Sequence, residues 1–145
     1  MKNTKEKEKN FIDEITTEIK KANKLSEVLK PETFAIPNGW ADEIVRQLKK
    51  GKSGTSLKTS QLRKIFAEIK DICDKKIKGL SEDNTELYLL YPKLAYAKGR
   101  NLLPKDFYNL LVACLDKLKN STDKEDFKAF EEFMTAIVAY NKQYE

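Results

Sequence analysis

Apolar residues recur along this chain at intervals of three and four, the spacing that puts side chains on one face of an α-helix. Ile12, Ile15, Ile19 and Ala22, continued by Leu25, Val28 and Leu29, predict a first helix over about residues 11–29, which Pro31 ends. Residues 31–38 hold two prolines and no periodicity. They read as an extended connector in which Phe34 and Ile36 pack on the core. A second helix from about Asn38 or Trp40 to Lys50 places Ala41, Ile44, Val45 and Leu48 on one face, and Gly51–Ser56 follows as a flexible loop.

The third helix, about Thr59 to Lys78, carries Leu62, Ile65, Phe66, Ile69, Ile72, Cys73 and Ile77 in one stripe and stops at Gly79. The fourth begins near Thr85. Its leucines, alanines and tyrosines cover almost its whole circumference, the pattern expected of a helix at the centre of a fold. Pro92 predicts a kink or a fresh start inside it, and Gly99 a stop in the left-handed conformation. Pro104 opens a fifth helix, to about Lys119, with Phe107, Leu110, Leu111, Cys114, Leu115 and Leu118 inward.

A capping box of Thr122 and Glu125 introduces the last helix, about residues 123–143. Phe127, Phe130, Met134, Ile137 and Val138 form its main stripe, and Phe133, Tyr140 and Tyr144 a second one. A helix apolar on two sides is covered by something more than one core, so the pattern implies self-association or docking on a partner. The fold class that emerges is all-α, a compact bundle of about five or six helices. Residues 1–10 are expected to fray and residues 11–145 to form a single helical domain. Residues 53–58 and 79–84 are candidate hinges for exchanging helices between protomers.

Composition narrows the chemistry. The chain has 145 residues, enough for one core, with 40% hydrophobic and 35% charged residues and few glycines and prolines, which favours helix over sheet. It has no histidine, which removes the commonest general base and most transition-metal sites. Carboxylate pairs such as Asp71 with Asp74, or Glu131 with Glu132, lie among lysines and read as surface ion pairs rather than as catalysts. No enzyme, cofactor or metal site is expected. Cys73 and Cys114 sit in separate apolar stripes and read as buried reduced thiols, and the charged start is no secretory signal. Both point to a cytoplasmic protein with no membrane span.

The net charge is +5, and 25 of the 28 basic residues are lysines. Such a balance suits contact with phosphate and equally suits a solvated helix surface. The basic residues are therefore where a site must be sought: Lys52, Lys58, Arg63, Lys64, Lys93, Lys98, Arg100 and Lys105. Arg63 and Arg100 weigh most, because arginine is scarce here and its planar fork fits phosphate. Tyr88, Tyr91 and Tyr96 are the best placed rings for stacking on a base.

Three segments carry a resemblance: Thr59–Phe66 (TSQLRKIF), Leu89–Arg100 (LLYPKLAYAKGR) and Phe130–Lys142 (FEEFMTAIVAYNK). In this order, in an all-helical chain of this length, they resemble the small subunit of the type III-A CRISPR interference complex, the Csm complex. The resemblance implies a non-enzymatic subunit that stacks in several copies, touches the backbones of guide RNA and target RNA without reading sequence, and docks on other subunits of the effector complex. The other reading of the same residues is a helical oligomeric scaffold or adaptor without RNA contact.

Overall fold

A computed structural model describes residues 10–50, 57–80 and 83–145. Eight helices lie among them: α1 (Phe11–Lys21), α2 (Leu25–Val28), α3 (Pro31–Phe34), α4 (Trp40–Lys50), α5 (Thr59–Ile77), α6 (Thr85–Gly99), α7 (Lys105–Leu118) and α8 (Lys124–Gln143). The fold is all-α and compact, as expected. The expected loop 51–56, most of the expected frayed start and parts of both candidate hinges fall outside the described residues. Asn10, the last residue of that start, is among the described residues. Its side chain accepts from the Ile12 N–H at 2.7 Å and donates to Asp106 at 2.7 Å, which caps α1 and ties it to α7.

The expected first helix is two. After Lys21 the backbone turns extended at Ala22 and Lys24, although no proline or glycine intervenes. Tertiary partners take over the groups that the break exposes. The Lys117 ammonium donates to the carbonyls of Lys20 and Ala22, and the buried Asp126 carboxylate accepts from the Ser26 N–H at 2.9 Å. The expected connector is partly helical. Pro31 opens α3, where its missing N–H costs nothing, and Phe34 is buried as expected, whereas Ile36 is 53% exposed. Between α3 and α4 the backbone turns tightly at Asn38, in the left-handed region at φ 66°. Gly39 follows because a Cβ there would lie 2.7 Å from the Thr33 carbonyl oxygen.

The centre of the molecule is α8, not the fourth expected helix. One side of α8 lies along α5, where Lys70 meets Glu131 at 2.9 Å and Asn141 meets Thr59 at 3.2 Å, an antiparallel pairing. Its other side is covered by α2, α3 and α4. Phe133 packs edge-on against Phe34 with ring centroids 5.4 Å apart, Tyr140 donates to the Ala35 carbonyl, and Tyr144 donates to Asp42 at 2.6 Å. The second aromatic stripe of α8 is thus taken up by the chain's own N-terminal helices. Phe133 is fully buried by them, while Tyr144 keeps 38% of its surface exposed.

Helix α6 lies at the edge. It buries Leu87, Leu90, Leu94 and Ala97 against α5 and α7 and leaves Tyr88, Leu89 and Tyr96 in solvent. It is one continuous helix through Pro92, with no fresh start. Gly99 remains helical, and the left-handed residue is Asn101 at φ 60°. The Asn101 N–H bonds to the Lys98 carbonyl at 3.0 Å and the Leu102 N–H to that of Ala97 at 2.9 Å, the paired bonds of a Schellman stop. Gly79 ends α5 in the same way, as expected, at φ 72°. Two smaller differences remain. Pro104 precedes α7 rather than beginning it, and α8 is capped by Asp123, whose carboxylate accepts from the Glu125 N–H at 2.9 Å, in place of the expected Thr122 box.

One apolar core runs through the helices, from Ile12 to Ile137. Cys73 and Cys114 lie within it as free thiols, and burial pushes both well above the usual thiol range. No helix of the described residues is long and apolar enough to cross a membrane.

Candidate nucleic-acid interface

Helices α5 and α6 run antiparallel. The ion pairs Lys75–Glu86 at 3.1 Å and Lys93–Glu68 at 3.0 Å step seven residues down one helix and seven up the other, which fixes the register of the pairing. One turn beyond Glu68 lies Lys64, and one to two turns beyond Lys93 lie Tyr96 and Arg100. The two helices therefore bring Lys64, Lys93 and Arg100 to a single groove of about 590 Å³, together with Gln61, Glu68 and Tyr96. Three cations face one carboxylate there.

The remaining candidates are dispersed. Arg63 precedes Lys64 by one residue, which turns it about 100° around the helix. Its guanidinium sits 3.7 Å from Glu145 beyond the end of α8, and at 57% side-chain exposure that contact is a weak one. Lys58 is exposed just before α5. Lys98 turns to the far side of α6, where its ammonium lies 4.5 Å from the ring centroid of Tyr108 on α7. Lys105 is exposed one helical turn before Tyr108. Lys52 lies outside the described residues.

The three candidate rings separate as well. Tyr91 donates to Asp116 at 2.7 Å and lies under Lys119, and burial together with that bond raises its hydroxyl above the usual range. It is a packing residue. Tyr88 and Tyr96 remain open, the latter 64% exposed beside the groove. Arg100 bonds to it, with Nη1 donating to the Tyr96 hydroxyl at 3.1 Å and the guanidinium 5.6 Å from the ring centroid.

Asp71, Asp74 and Glu131 form surface ion pairs, as sequence suggests. Asp71 meets Lys75, and Asp74 and Glu131 share Lys70. Burial, reinforced by a bond to Asp74, holds Glu131 above the ordinary carboxylate range. Bonds to Glu131 and Lys70 hold Asp74 below it. The groove between α5 and α8 that Asp74 and Glu131 line also receives Glu125 and Glu132 against only Lys124 and Lys128, so it is acidic on balance.

Sequence reasoning missed Lys117, Asp42 and Asp126, whose work is structural. A second cleft sets Lys20, Lys24 and Lys117 against Asp116, Asp123 and Asp126, and two of its three lysines are engaged. Lys117 holds the end of α1, and Lys24 pairs with Asp123.

The sequence matches the family model described as Csm2 Type III-A over residues 38–145. It is 30% identical over 106 residues to the CRISPR system Cms protein Csm2 of Streptococcus thermophilus, an alignment that covers 72% of this chain and 87% of that protein. No solved structure matches. The matched region takes in α4 to α8, and with them the whole α5–α6 groove.

Proposed function

This chain belongs to the Csm2 Type III-A family, small subunits of the type III-A CRISPR effector, and from that premise we propose that it holds guide and target RNA by their backbones. The observation that carries the reading is the convergence of Lys64, Lys93 and Arg100 on one open groove between α5 and α6. Charge mixed with carboxylates is ordinary on a helical surface. A groove with three cations and one carboxylate suits phosphate, because cations can replace the counterions that RNA releases.

Lys58, Arg63, Lys98 and Lys105 lie outside the groove and Lys52 outside the described residues, and they belong to the proposal only as further basic residues of the same chain. Contacts of this kind read no sequence. In guided recognition specificity belongs to base pairing, and the protein supplies shape and charge. The subunit performs no chemistry of its own in this reading, consistent with a chain that lacks histidine. Tyr88 and Leu89, exposed on the outer face of α6, give it an apolar surface for a neighbouring subunit of the complex.

The test is the salt dependence of binding to a labelled single-stranded RNA. Replacing Lys64, Lys93 and Arg100 together by alanine should weaken binding and make the slope of log K against log salt shallower by about 2, since each lost phosphate contact removes about 0.7. The same exchange at Lys124 and Lys128, in the groove where carboxylates outnumber lysines, should change the slope little. An unchanged slope in the triple variant contradicts the assignment of RNA to this groove. Self-association of the wild type without salt-sensitive RNA binding favours the scaffold reading.

A further inference from the structure

The α5–α6 groove contains more than backbone contact requires. Phosphates ask for charge, and the rim supplies it. The floor below is apolar, made by Ile65, Leu90, Leu94, Ala97 and Leu102, and an exposed aromatic ring, Tyr96, stands beside it. The ring is steadied by Arg100, which bonds to its hydroxyl at 3.1 Å. Gln61 adds an amide able to donate and accept at once. At about 590 Å³ the space falls within the range of sites for small organic groups.

We infer that this groove takes an unpaired nucleobase of the bound RNA, stacked on Tyr96, while the neighbouring phosphates lie on Lys64, Lys93 and Arg100. An aromatic platform inside a cationic rim is how proteins hold single-stranded nucleic acid without regard to sequence, since every base has a π-face. Charge argues against an apolar protein segment as occupant. The single carboxylate in the groove, Glu68, is already paired with Lys93, so the rim attracts a polyanion. The inference rests on the RNA reading above and adds a slot for the base, which backbone contact alone does not use.

An abasic oligomer separates the two. It keeps the phosphates and discards the rings. The wild-type protein should bind oligoadenylate about tenfold more tightly than an abasic strand of equal length. Tyr96→Ala should abolish that preference and leave the salt slope in place, and Tyr96→Trp should restore it. Tyr96 is largely solvent-exposed, so these exchanges leave the core intact. Equal, salt-sensitive binding of both strands by the wild type would overturn the base slot while the backbone reading holds. A preference that survives in Tyr96→Ala would also overturn it, by placing the base elsewhere. Failure to bind either strand would remove both readings.

Discussion

Asp42 illustrates what single residues contribute here and why sequence conceals it. It sits in the first turn of α4, where an acidic residue is expected on the exposed side, yet it is 4% exposed. Burial alone would raise its carboxyl. Hydrogen bonds from the Tyr144 hydroxyl and the Asn38 N–H, with the charge of Arg46 3.5 Å away, outweigh burial and hold it below the ordinary range. A depressed carboxylate adds stability above its unfolded pKa of about 3.9 and loses it as pH falls through the folded value. Asp42→Asn should therefore unfold at a lower urea concentration than wild type at pH 7, and the gap should narrow below about pH 4. A gap of the same size at both pH values would contradict this. Nothing in the pattern around Asp42 names its partner, because Tyr144 lies at the other end of the chain. Lys64 and Arg63 teach the same lesson for the site: their basic character is plain from sequence, but only the packing of α6 decides which of the two joins Lys93 and Arg100.

At the scale of elements, periodicity located α4, α5, α7 and α8 almost to the residue and misjudged which helix is central. The apolar circumference of α6 suggested burial on all sides. In the fold its inner face meets α5 and α7, and the outer face is left to solvent. The two aromatic faces of α8 suggested a partner chain, and short N-terminal helices that periodicity merged or missed cover the second face instead. Stability should follow the structure. Phe133→Ala, on the fully buried second stripe of α8, should cost about 3 to 5 kcal/mol by chemical denaturation, because it removes a ring and leaves a cavity. Leu89→Ala, at a residue 54% exposed on α6, should stay within about 0.5 kcal/mol. The reverse order would restore α6 to the centre. The bounds of α6, Thr85 and Gly99, were legible, and only the residue that makes its stop was not. Gly99 has the composition of a stop, and the chain takes the left-handed turn two residues later, at Asn101, which tolerates it.

Across the whole molecule, basic and acidic surfaces lie on two grooves that both involve α5. The groove with α6 gathers the cations, and the groove with α8 sets Asp74, Glu125, Glu131 and Glu132 against Lys124 and Lys128. The net charge of +5 gives no hint of this division, which depends on the antiparallel register of α5 with each neighbour. The matched family region begins at residue 38, so the groove lies inside the shared part of the fold, and α1 to α3 buttress α7 and α8 from outside it. The claim that joins these scales is that RNA lies along the α5–α6 groove of the assembled effector. Its most direct test places a photoreactive side chain at position 93 or at position 128, rebuilds the complex with its partner subunits and guide RNA, adds target RNA, and measures crosslinking on illumination. The account predicts RNA crosslinks from position 93 and few from position 128. Crosslinks confined to position 128, or equal from both, would contradict it.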